Sequence, residues 1–156
     1  MFNSLVFPYG ITLREDGVIE TVPVAEVGLK DKRGEWLSLF LIIDSGATIS
    51  ALPKGDALTL GIDVEKGETQ VISGIGGEIL SGWQHHIKVR LKNIKVDLPV
   101  IFLDQEIAPR VLGRAGIFER FILVFEEKRK RVGFIKKGVT EAGVIQKILD
   151  KIQKEK

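Results

Sequence analysis

Asp44, Ser45 and Gly46 stand directly behind an apolar run, Leu39-Phe40-Leu41-Ile42-Ile43, in a chain of 156 residues. Five consecutive apolar residues read as a buried strand, and a carboxylate, a hydroxyl and a glycine at its end read as a loop. A buried carboxylate is costly unless it is hydrogen-bonded or shares a proton. Two carboxylates that share one proton form a combined acid and base able to activate water. The sequence has a single loop of this kind. Asp, Ser and Gly are also common turn formers, so these residues alone are equally consistent with a plain turn.

The other chemistry-bearing residues carry less. His85 and His86 are adjacent, and on a strand they point to opposite faces, so no metal site is expected there. Asp97 and Asp104 flank an apolar strand, but no Ser-Gly or Thr-Gly follows Asp104 to make it a second Asp44. With no cysteine, disulfides, thiolate nucleophiles and thiolate metal sites are excluded. Gly74, Gly76 and Gly77 do not fit the dinucleotide-binding spacing, because Ile79 stands where its third glycine is needed. Lys128-Arg129-Lys130-Arg131 lacks interleaved aromatics, and a net charge of +2 argues against a dedicated nucleic-acid binder. The first residues lack a basic segment ahead of a long apolar run, so neither a signal peptide nor a membrane span is expected, and the cytoplasm is the expected compartment.

The elements that must position Asp44 read as strands. Val18 to Leu29 and Trp36 to Ile43 flank the polar turn Asp31-Lys32-Arg33-Gly34, which predicts a hairpin. Thr48 to Leu52 reads as a short strand, followed by a short helix opened by Pro53 and stopped by Gly61. Thr69 to Ser73 and Glu78 to Leu91 flank the glycine-rich tip Gly74-Ile75-Gly76-Gly77 as a second hairpin. Such a tip suits a mobile flap, although Gly-Gly turns are common. Ile94 to Leu103 is another strand, with Pro99 marking an edge or an irregularity. Val111-Leu112-Gly113 leads into a helical stretch from Arg114 to Arg120, and Phe121 to Phe125 and Arg131 to Ile135 close the series as a charged hairpin. From Thr140, the residues Val144, Ile145, Ile148, Leu149 and Ile152 recur at helical spacing. Gly138 is the expected joint, Thr140 the cap, and Glu141 and the terminal lysines suit the helix ends. The expected organisation is therefore one all-β domain over 1–137, a closed barrel with one or two short helices, and an amphipathic α-helix over 138–156. That helix is expected to pack on its own barrel, the alternative being a strap across a dimer interface.

Several segments in order resemble the retropepsin-like aspartic proteases, in particular their prokaryotic single-domain members. Ile43-Asp44-Ser45-Gly46-Ala47-Thr48 resembles the catalytic loop, and Ser50 to Gly61 the stretch that follows it. Gly74-Ile75-Gly76-Gly77 resembles the flap, and Leu112-Gly113-Arg114 with Val111 resembles the second signature. Phe121 to Phe125 and Arg131 to Phe134 resemble the closing hairpin. The resemblance implies a closed acid-protease barrel and an aspartic endopeptidase that needs neither cofactor nor metal. It also implies a homodimer with one Asp44 from each chain, acting on a peptide or protein substrate. Ser45 would bond across to the partner loop, Gly46 would let the backbone approach the carboxylates, and Ala47 would line the cleft. One departure stands out. Retroviral relatives often have an acid at the position of Thr48, paired with the arginine of the second signature, so Arg114 is expected to find a carbonyl or another acid. The runner-up expectation is a barrel of the same architecture that binds peptides or dimerises without cleaving.

Overall fold

In the computed structural model, which describes residues 4–74 and 76–155, short apolar and alternating runs make strands in the order β1 (Ser4–Pro8), β2 (Gly10–Leu13), β3 (Ile19–Val22), β4 (Val24–Lys30), β5 (Trp36–Ile43) and β6 (Ser50–Pro53). Helix α1 (Lys54–Leu60) follows, then β7 (Glu68–Ser73), β8 (Ile79–Leu91), β9 (Ile94–Leu103), β10 (Val111–Leu112), β11 (Phe121–Glu126), β12 (Arg131–Lys136) and helix α2 (Thr140–Lys154). The architecture is all-β with a retained pair of helices. The chain forms two compact units, one of Val24–Ile117 and one of the segments before and after it.

The central unit holds one seven-stranded sheet in the order β4-β5-β10-β6-β9-β8-β7. A further bridge between Gly28 and Arg90 brings β4 back against β8, so the sheet curls round on itself. Leu41, Leu52, Leu91, Leu98, Phe102 and Leu112 fill its core at 2 % exposure or less. The expected hairpin of β4 and β5 is present, with Lys30 opposite Trp36 and Val24 opposite Ile42. Pro53 precedes α1, and Gly61 ends it with φ of 70°. A side chain at Gly61 would also meet the Lys32 Cβ at 2.8 Å, so glycine is required there by conformation and by space. Pro99 lies where β9 has β8 as a neighbour but precedes the stretch paired with β6, which starts at Val100. Its missing N–H therefore leaves no gap in that ladder.

The terminal unit holds a three-stranded sheet, β1-β12-β11, and a separate hairpin of β2 and β3. Phe134 sits between Phe7 and Phe121, with edge-on ring contacts at 5.2 and 5.7 Å. The charged turn between β11 and β12 is a short 3-10 segment over Glu127–Arg129, closed by Lys130 with φ of 48°. Its cations pair locally, Arg129 and Arg131 with Glu126 and Lys130 with Glu127.

Four expectations are corrected here. Val18 to Leu29 is not one strand: Pro23, which has no N–H to give a ladder, separates β3 from β4, and the two belong to different sheets. Residues 114–120 form successive turns rather than a helix, because Gly116 takes φ of 80°, a left-handed conformation that breaks helical propagation. Thr140 is the first helical residue of α2 and not its cap; Val139 holds the cap position without a side-chain hydrogen bond. Nor does most of the apolar stripe of α2 pack on its own fold, although Ile145 is half-buried. Ala142 is the helix's buried residue, whereas Val144, Ile148, Leu149 and Ile152 are all more than half exposed. Gly138 does form the expected joint, with φ of 86°.

Candidate active site

Strand β10 is two residues long, yet it lies inside the central sheet, between β5 and β6. Val111 and Leu112 run parallel to Ile42 and Ile43 at the end of β5, and Val111 pairs antiparallel with Ala51 of β6. The loop from Asp44 to Ile49 therefore leaves β5 on one side of β10 and enters β6 on the other. Arg110 fixes the approach to β10: its carbonyl accepts the Ile42 N–H at 2.8 Å, and its guanidinium forks onto both carboxylate oxygens of Asp56 in α1 at 2.7 and 2.8 Å. That pairing holds the Arg110 guanidinium above its ordinary pKa, chiefly through the hydrogen bond to Asp56.

The loop is stitched to the residues that follow β10. The Asp44 N–H donates to the Leu112 carbonyl at 3.0 Å, the Arg114 N–H to the Ala47 carbonyl at 3.0 Å and the Ala115 N–H to the Thr48 carbonyl at 2.9 Å. Within the loop, the Ala47 N–H reaches the Asp44 carbonyl at 3.3 Å, and the Gly46 N–H donates to the Asp44 Oδ1 at 2.8 Å. That bond aims the carboxylate. A side chain at Gly46 would approach the same Oδ1 to 3.2 Å. Asp44, Ser45, Gly46 and Thr48 are exposed and Ala47 is half-buried. The carboxylate is thus not buried within its own chain, contrary to the sequence expectation. β5 ends before Asp44, so the carboxylate stands beyond the strand that β4 and β10 cover.

Among the described residues, Arg114 reaches neither a carbonyl nor an acid: its guanidinium donates to the Thr48 hydroxyl at 3.4 Å. The two signature segments therefore do meet, at the residue where an acid was missing. Asp104, weighed as a second aspartate, instead forms an ion pair with Lys54 at 3.1 Å. His85 sets its Nε2 3.0 Å from the Val64 carbonyl and its ring edge-on to Phe102, while His86 lies 3.5 Å from Asp97. Among the described residues, no group of three or more His, Asp or Glu is arranged to hold a metal ion, and no helix is long and apolar enough to cross a membrane.

The hairpin of β7 and β8 ends at Ser73 and Ile79. Its tip is closed by Gly74 N–H to the Glu78 carbonyl at 2.9 Å and Gly77 N–H to the Gly74 carbonyl at 3.0 Å. Gly77 takes φ of 79°, and Gly76 has open space around it. Ile75 lies outside the described residues. Val71 and Ile79 beside the tip are exposed.

One residue of the site had no sequence signal of its own. Ser50 is fully buried, and its Oγ accepts the Gly113 N–H at 3.0 Å. Gly113 itself leaves no room for a side chain, since a Cβ would lie 2.5 Å from the Ile49 carbonyl carbon. A serine in an apolar strand is a common sight; only the position of β10, set by distant pairing, gives it a partner.

None of the curated proteins matches the sequence. Among solved structures, the fold is similar to that of a retropepsin-like aspartic protease from Rickettsia conorii, with a TM-score of 0.57 over 85 % of this chain and 99 % of that one. Identity to it is 17 %, so the likeness is one of fold. The family model described as Aspartyl protease matches residues 37–116, which is more than half of the 156 residues and runs from β5 through the Asp44 loop to Arg114 and beyond. The chain belongs to the aspartyl protease family and carries its retropepsin-like fold.

Proposed function

We propose that the protein is an aspartic endopeptidase whose site is completed by two copies of the chain, each contributing Asp44. The observation that carries this reading is the exposed Asp44 carboxylate, held by the Gly46 N–H on a loop stitched at 44, 47 and 48. A loop tied so closely by its backbone offers one carboxylate to something outside the chain. Family membership supplies the chemical class, peptide hydrolysis, and that chemistry needs two carboxylates.

Two such carboxylates brought together share one proton and titrate as a unit. The ionised member takes a proton from a water molecule as its oxygen bonds to the scissile carbonyl carbon. The protonated member gives its proton to the carbonyl oxygen, which leaves a tetrahedral diol. Collapse of the diol breaks the C–N bond: the departing nitrogen takes up the pair's proton, one diol hydroxyl gives its proton to the other carboxylate as the carbonyl re-forms, and the pair is again singly protonated. Ser45 is assigned to a hydrogen bond across to the partner's loop, and Ala47 to the wall of the cleft. The β7–β8 hairpin, with Gly74, Gly76 and Gly77 at its tip, is assigned to a flap over an extended peptide substrate, paired through strand-edge hydrogen bonds. The cytoplasm is the proposed location.

Cleavage of a mixed peptide library by wild type and by Asp44→Asn, between about pH 4 and pH 7 where a coupled carboxylate pair can work, tests this. Cleavage by wild type that disappears in the variant is expected. Wild type that is dimeric but leaves every peptide intact contradicts the peptidase reading and favours a peptide-binding barrel.

A further inference from the structure

We propose that Ser50 is the positioning residue of Asp44 and acts through the backbone of Gly113; this rests on the reading of Asp44 as the catalytic aspartate. Ser50 is 0 % exposed, the one fully buried polar residue among the described residues. Its Oγ is 3.0 Å from the Gly113 nitrogen and is the acceptor for that N–H. Gly113 is the midpoint of the segment that grips the Asp44 loop. On one side of it, the Leu112 carbonyl takes the Asp44 N–H; on the other, the Arg114 and Ala115 N–H groups go to the Ala47 and Thr48 carbonyls. The segment thus holds the loop at its first residue and again past its turn, and Ser50 holds the segment between those points.

The backbones meet directly at this place. A Cβ on Gly113 would lie 2.5 and 2.6 Å from the carbonyl carbon and oxygen of Ile49 and 2.8 Å from the Ser50 nitrogen. No side chain fits between to act as a second anchor. Without the Ser50 hydroxyl, the Gly113 N–H loses its acceptor in a buried place, and a buried donor without a partner is relieved by moving toward one. Any movement of residues 112–115 carries residues 44, 47 and 48 with it. Misplacement of a reacting group by about 1 Å lowers the rate by about a hundredfold.

The test compares wild type, Ser50→Ala and Ser50→Thr by steady-state kinetics on a cleaved peptide and by amide NMR. Ser50→Ala is expected to lower kcat by about tenfold to a hundredfold, with KM changed by less than about twofold. The Gly113 amide should lose protection from hydrogen exchange. The Gly46 amide, whose hydrogen bond reports on the Asp44 Oδ1, should shift. Ser50→Thr keeps the hydroxyl and should restore all three. If the added methyl prevents folding in the buried site, Ser50→Cys, with a weaker acceptor, takes its place and should fall between wild type and alanine. A lower melting temperature in Ser50→Ala with kcat unchanged and the Gly46 amide unmoved assigns Ser50 to stability alone and overturns the inference. The amide readouts need no turnover. A wild type that cleaves nothing removes the Asp44 reading, while the Gly46 shift separately decides whether Ser50 sets the carboxylate's position.

Discussion

Leu112 and Ile148 are both aliphatic residues in regular structure, and the molecule treats them oppositely. Leu112 is 0 % exposed on an interior strand of a seven-stranded sheet, whereas Ile148 is 52 % exposed on a helix whose buried residue is Ala142. The difference extends to their surroundings. The segment around Leu112 is tied by long-range backbone bonds to the Asp44 loop, to β5 and to β6. Helix α2 follows Gly138 and turns its apolar stripe outward. An amphipathic pattern shows that an element has an apolar face, but not what covers it. Precision in this protein is concentrated where distant segments share backbone bonds.

The largest effect should come from emptying the Leu112 site. Leu112→Ala removes a fully buried side chain beside the Asp44 loop and should cost about 4 kcal/mol, within the usual range for core leucines. Urea unfolding measures it, and a loss under about 1 kcal/mol would mean that β10 is a loosely held insertion. Gly113→Ala forces a Cβ to 2.5 Å from the Ile49 backbone and should cost about 3 kcal/mol, with loss of cleavage in whatever fraction folds.

A smaller effect comes from Asp31, which closes the β4–β5 turn by accepting the Arg33 and Glu35 N–H groups at 2.8 and 2.9 Å. Desolvation pushes its carboxyl up, but those two backbone bonds and the Arg33 guanidinium outweigh it and hold the pKa below the ordinary value. With the folded value depressed, the ionised side chain adds stability above the unfolded pKa, about 3.9, and that contribution is lost as pH falls through the folded value. The stability gap between wild type and Asp31→Asn should therefore narrow on acidification. A gap constant from neutral pH to the acid limb would contradict this. The smallest effect should come from α2: Ile148→Ser on the exposed stripe should change the stability of the isolated chain by less than about 0.5 kcal/mol. A loss several times larger would show that the stripe is covered in solution.

Much of this was legible from local pattern. β5 and β9 run over the residues that their apolar runs mark, and Pro53 and Gly61 bracket α1 as a proline at the start and a glycine past the end should. What escaped depended on partners distant in sequence or on single backbone angles. Strand β1 is a short, unremarked apolar run until β12 pairs with it, residue against residue from Ser4–Ile135 to Pro8–Arg131. The turn at Gly116 overrides the apolar spacing of a helix through one left-handed residue. At the site, Asp44 and its neighbours were visible as a loop behind a strand. Thr48 was visible as a missing acid, but its bond to Arg114 was not. Ser50 was invisible, because a hydroxyl in a strand acquires meaning only from the Gly113 N–H, 63 residues away.

If one site takes an Asp44 from each of two chains, mixing wild-type and variant chains reveals it. Wild-type and Asp44→Asn chains, unfolded together in equal amounts and refolded, should keep about a quarter of the activity of the same total amount of wild type, since only pairs of two wild-type chains carry both carboxylates. Activity of about one half, in proportion to the wild-type chains present, would mean that each chain carries a complete site and would contradict the account.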